Sequence, residues 1–125
     1  MDNKDLKALN EKLLEFAGFK PCTYNGTNEI IYSSSGYILW DNPSGVYIGI
    51  TDFDLVNDAN AQIKWLYPKL MDYAFGWDYD PATLKYLAYI DGRFIICCMG
   101  ESNDSPTLAF ALAVEKLIDY LEKTK

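Results

Sequence analysis

A chain of 125 residues, half of them hydrophobic and 23% charged, has the size and composition of a single folded domain, 1–125, and not of a disordered segment. Its formal charge of −7, from 18 acidic and 11 basic residues, argues against general DNA or RNA binding through a basic face and against adhesion to anionic membranes. The acids are spread along the chain, as on a solvated surface, and form no acidic tail.

The three cysteines, Cys22, Cys97 and Cys98, lack metal-site spacing and suit a reducing compartment. No apolar stretch approaches the length of a membrane span, and Met1-Asp2-Asn3-Lys4-Asp5 opens no signal peptide, so the cytoplasm is the expected location.

In chain order, an amphipathic helix is expected over Lys4 to Ala17. Leu6, Leu9, Leu13 and Phe16 recur at helical spacing, Lys7, Glu11, Lys12 and Glu15 face away, Asp2 or Asn3 caps the start and Gly18 stops it. Residues 19–51 read as strands and turns. Asn25-Gly26 turns between Lys20–Tyr24 and Glu29–Ser33, and the run Tyr37–Trp40 leads through Asp41–Gly45 into Val46–Ile50. Three or four antiparallel strands follow, their register open because both faces carry apolar residues. After a loop, a second helix is expected from Asp58 to Phe75, capped by Asn57 or Asp58 and ended by Gly76. Pro68 inside it implies a kink or two short helices.

Lys85–Ile90, Asp91-Gly92 and Arg93–Met99 read as a hairpin on a two-residue turn. Both of its strands are apolar on both faces, so helices are expected to cover each side. Ser105 caps the last helix and Pro106 opens it. The run Leu108–Val114 marks a buried helix end, and Asp119 is spaced to pair with Lys123. The expected fold is α+β, an antiparallel sheet of four to five strands covered by three helices.

Histidine is absent, which removes Ser-His and Cys-His nucleophile pairs, the commonest general base near neutral pH and most zinc sites. No catalytic residue, metal or cofactor is assigned. Asp52 with Asp54, or Asp78 with Asp80, could form a carboxylate pair, but Asp in such stretches is read as a turn or cap residue. The stretch Asp52–Asp58 lacks the central Gly and distant Glu of a calcium loop. No Gly-rich phosphate loop is present.

One region suits an anion. The start of the last helix offers free amides, with Ser102, Ser105, Thr107 and Asn103 close by in sequence. Arg93, the one arginine, suits a phosphate, and Trp77, Tyr86 or Tyr89 could stack on a base. The candidate ligand-binding set is therefore Arg93, Asn103, Ser105, Thr107, Trp77 and Tyr86. The plainer alternative is that Arg93 is a solvated turn residue and the hydroxyls only cap.

Three phrases carry a resemblance: Leu9-Asn10-Glu11-Lys12-Leu13-Leu14-Glu15-Phe16-Ala17-Gly18-Phe19, then Phe53–Ala61 with Trp65–Leu70, and Ser105–Ala109 with Ala113–Ile118. Together they resemble the phage ABA-sandwich domain family, small phage and prophage proteins named for an α/β/α layering. The resemblance implies that layered sandwich and an accessory role in the cytoplasm of an infected bacterium. By analogy with other small phage proteins, the expected function is non-catalytic binding that inhibits host defence. The first expectation is that it sequesters a small nucleotide-like immune signal, as a sponge, with a homo-oligomer as one way to complete a site; the alternative, ranked slightly below, is that it occupies a host defence protein. A carboxylate enzyme ranks below both.

Overall fold

The computed structural model describes residues 2–32, 38–41, 54–92 and 95–123. The Asp2 carboxylate accepts the Asp5 amide at 2.9 Å and starts helix α1, Asn3–Phe16, close to the expected span. Leu9, Leu13 and Leu14 fill its buried side. Gly18, at φ +98°, turns the chain out of the helix as anticipated.

The next segment folds back on itself. Strand β1 (Lys20–Pro21) pairs antiparallel with β2 (Trp40–Asp41). The ladder then loosens: the Cys22 amide donates to Leu39 O, the Ile31 amide to Cys22 O and the Leu39 amide to Ile31 O. Asn25-Gly26 makes the expected turn, closed by the Thr27 amide on Tyr24 O at 2.9 Å, with Gly26 at φ +76°. The strand expected over Val46–Ile50 lies outside the described residues, as do Asp52 and Arg93.

The second helical segment corrects the sequence reading at its far end. Asp58 caps it, accepting the Asn60 and Ala61 amides. One α turn, α2 (Ala59–Ala61), widens into a π turn over Gln62–Leu66 and tightens into a 3-10 turn over Tyr67–Leu70. Pro68 explains the change, since it can donate no backbone hydrogen bond and is accommodated in the first turn of the 3-10 stretch.

The helix stops at Leu70 and does not reach Phe75. Residues Ala74–Asp80 form strand β3, which the helical reading missed. Gly76 is therefore no helix stop. A Cβ there would stand 2.6 Å from the Tyr89 hydroxyl, so glycine leaves room for that ring.

Strands β3, β4 (Lys85–Gly92) and β5 (Ile95–Ser102) make an antiparallel sheet in that order. Asp91 and Gly92 belong to β4 and do not form the expected two-residue turn. Ile90 pairs with Cys98 and Gly92 with Ile95, with a register shift between them. Among the described residues, five strands thus divide into sheets of two and three, and no sheet of four to five strands is formed. The coarser expectation, α+β with antiparallel strands and helices, holds.

Helix α3 (Pro106–Lys123) lies on β4 and β5. Its Leu108–Ala111, Ala113, Val114, Leu117 and Ile118 are buried in the core that also holds Ala88, Ile90 and Cys98. Gly100 lets the two backbones approach: a Cβ there would lie 2.5 Å from Ala113 N and closer still to Ala109 O. Helix α1 packs on α3, where Lys12 bonds Asp119 and reaches Glu115. Asp119 therefore bonds across the helix pair, in place of the expected contact with Lys123, and Lys12 does not simply face away.

The helices meet the sheet on one face. On the other face, Ala74, Asp78, Asp91, Met99 and Glu101 are exposed, and Leu87 and Tyr89 half-buried. Helical cover on both sides is thus not found among the described residues. No helix among them is long and apolar enough to cross a membrane.

Candidate functional site

Period-two alternation along β3 sends Phe75, Trp77 and Tyr79 to the helix-bearing face and Gly76, Asp78 and Asp80 to the other. The first three form an aromatic ledge. Phe75 and Trp77 meet edge to face at 6.0 Å, Trp77 lies 5.2 Å from the Phe110 ring of α3, and Tyr79 lies 5.0 Å from Tyr86 across the strand pair. The ledge emerges from the core towards the β3–β4 turn, where Trp77 is 40% and Tyr79 46% exposed.

Tyr86 pairs in register with Ser102, which precedes the start of α3. The fold therefore brings Trp77 and Tyr86 to the end of the sheet from which Asn103, Ser105 and Thr107 lead into α3. Five of the six candidate ligand residues share that end of the fold. The sixth, Arg93, is outside the described residues. Its neighbour Gly92 is at the opposite end of β4, six residues or about 20 Å along the strand from Tyr86.

The hydroxyls at the α3 start are already engaged. Ser102 Oγ accepts the Asp104 and Ser105 amides at 3.0 and 3.3 Å. Ser105 Oγ accepts the Leu108 amide at 3.1 Å and shares a 3.2 Å bond with Thr107 Oγ1. Thr107 O accepts from the buried Gln62 amide nitrogen at 2.9 Å. This is a completed N-cap, braced by Gln62, with exposed Asp104 beside it. An arriving phosphate would have to displace these bonds and meet a carboxylate.

The carboxylates considered for chemistry take structural partners. Asp54 accepts the Val56 and Asn57 amides at 3.0 and 2.8 Å. Asp80 accepts the Thr83 hydroxyl at 2.9 Å and the Ala82 amide at 3.0 Å, bonds that hold its carboxyl below the usual carboxylate range. Asp78 is on strand β3, not in the expected loop, and accepts the Tyr79 amide at 2.8 Å. Among the described residues no group of three or more acids and cysteines is placed to hold a metal ion.

Burial pushes the Cys22 thiol up to about 11, helped by its 3.2 Å hydrogen bond to Asp41, and burial also raises Cys98. Both are poor nucleophiles in the folded chain. A cleft of about 270 Å³ between α1 and α3, floored by Phe16, Ile118 and Leu121, carries Glu15 and Glu122 on its rim.

The open sheet face was missed by the sequence reading. Its cross-strand rows are Ala74–Asp91, Gly76–Tyr89–Met99, Asp78–Leu87–Glu101 and Asp80–Lys85. An apolar centre of Leu87, Tyr89 and Met99 thus has acids on both lateral strands and near both ends, relieved by Lys85, which reaches Glu101 at 3.5 Å. The available signal was the alternation of Trp77 and Tyr79 with Asp78 and Asp80, which identifies a strand. Comparison with protein-family profiles, with curated proteins and with solved structures finds no match to this chain.

Proposed function

We propose that the chain is a non-catalytic binding protein that acts by occupying a protein partner, in the phage or prophage setting that the resemblance implies, where the partner would be a host defence protein. The observation that carries this reading is the face of the β3–β4–β5 sheet that is helix-free among the described residues, with Leu87 and Tyr89 on its central strand, Met99 45% exposed beside them on β5, and acids around them. Apolar area ringed by charge is the composition of a protein-binding surface. The non-catalytic part is supported by Asp54 and Asp80, whose carboxylates are engaged in turns.

The test is affinity capture from host cells with the chain as bait, run in parallel with Met99→Lys. A stoichiometric host protein retained by the wild type, lost with Met99→Lys and weakened by salt is the expected result. Equal retention by the variant, or no partner at any salt concentration, refutes the reading. Single Asp54→Asn and Asp80→Asn variants are expected to keep the biological effect.

A second reading keeps the ledge as a site for a small nucleotide-like ligand. The favouring observation is that exposed Trp77 and Tyr79, with Tyr86, stand at the same end of the sheet as the α3 start. Thermal-shift measurements with cyclic nucleotides and ADP-ribose derivatives decide between the two. Stabilisation that Trp77→Ala or Tyr86→Ala abolishes would move the assignment to sequestration.

A further inference from the structure

We infer that the open sheet face receives a cationic amphipathic helix from a partner protein, laid along β4; this rests on the protein-binding reading above. The face supplies the shape such a helix needs. Leu87 and Tyr89 point the same way from β4, Met99 extends the apolar strip onto β5, and Tyr89 lies over Gly76. A sheet offers its apolar residues to a packed layer, and α3 forms that layer on the opposite face only.

Charge selects the occupant. Asp78 and Asp80 line the β3 side, Glu101 the β5 side and Asp91 one end of β4, with Lys85 the one cation on this face among the described residues. A helix lying on the strip with lysines or arginines along both flanks would meet carboxylates on each side, whereas an acidic helix would set like charges against them. The eight residues of β4 span about 26 Å, which a helix of about 17 residues matches.

Among the described residues this chain has no such helix to offer a second copy. Helix α1 balances three lysines with three carboxylates, and α3 carries two lysines against three. The segment Ala59–Leu70 has Lys64 and Lys69, but Asp58 and Asp72 bracket it and its Leu66 and Leu70 are buried in their own core. The occupant is therefore a different protein.

The probe is a synthetic Leu/Lys peptide of about 18 residues with its leucines on one helical face. Its controls are a Leu/Glu counterpart and a scrambled Leu/Lys isomer, all titrated against the full chain by calorimetry. The expected result is binding of the periodic Leu/Lys peptide alone. Met99→Lys or Glu101→Lys should weaken it by about tenfold or more, and Glu29→Lys, at a position outside the three strands of this sheet, should leave it unchanged. All three positions are exposed, and far-UV circular dichroism checks that each variant folds. Equal binding of the scrambled isomer, no effect of Met99→Lys, or a wild-type dimer that Met99→Lys dissociates would each overturn the inference. A chain that captures a host protein through Met99 but ignores the peptide would also overturn it, while leaving the protein-binding reading intact.

Discussion

Gln62 is the side chain on which three segments meet. It is buried, and its amide nitrogen donates to Leu55 O and Thr107 O, both at 2.9 Å, with Val56 O at 3.4 Å. Gln62→Leu keeps the volume but leaves buried carbonyls without a donor. Urea unfolding should report a loss of about 1–3 kcal/mol. Leu84 is a different kind of residue-scale feature. It occupies the left-handed region at φ +56° in the turn between β3 and β4, with its side chain 64% exposed. Leu84→Asn should stabilise by about 0.5–1 kcal/mol, because Asn adopts this conformation readily, and Leu84→Val should destabilise. Unchanged stability in both variants would remove strain as the explanation. Neither residue stood out in the sequence, since burial of a Gln and the backbone angle of a Leu both depend on what surrounds them.

At the scale of elements, the approach of α3 to β5 is controlled by Gly100. An added Cβ meets helix backbone, which cannot swing away as a side chain can. Gly100→Ala should lower stability by about 3 kcal/mol, whereas Gly76→Ala, which meets only the end of the Tyr89 ring, should be milder. Comparable losses at the two sites would contradict this packing.

The elements differed in how readable they were. The span of α1, the start of α3 with its Ser105 cap, and the two-residue choices that contained the caps Asp2 and Asp58 were legible because helix periodicity and capping are local. Strand β3 was not, because Ala74 continues the helical spacing of Ala59, Ile63, Leu66 and Leu70 and Gly76 reads as a stop, while the Phe75–Trp77–Tyr79 alternation announces a strand, and pairing with β4 decides for the strand. The Asp91-Gly92 turn was misplaced for a similar reason: the dipeptide permits a turn, but cross-strand register chooses where the chain reverses.

For the whole molecule, pH should act through two joints. Lys12 ties α1 to α3, and its hydrogen bond to Asp119 raises its pKa above the ordinary lysine value. Cys22 ties β1 to β2 through Asp41, and its thiol is pushed up to about 11, chiefly by burial. In each case the folded-state pKa is the higher, so the contribution is intact below the unfolded value and is lost as pH rises through the folded one. Stability should therefore decline from about pH 8.5, the free-thiol value, through about 11. Cys22→Ala should reduce the lower part of that decline, to which buried Cys98 also contributes, and Lys12→Met the upper. A flat urea-unfolding profile from pH 8 to 11 in the wild type would refute both assignments.

The sequence by itself determined the composition class, the absence of imidazole chemistry, the span of α1 and the start of α3, because each depends on residue type or on spacing within a few turns. Only the tertiary structure decided that the α3-start hydroxyls are engaged in a cap, that Asp119 bonds Lys12, and that one sheet face, uncovered by helix among the described residues, presents Leu87, Tyr89 and Met99 amid acids. Those facts depend on strand register and on which residues distant in sequence come together, and local pattern carries neither.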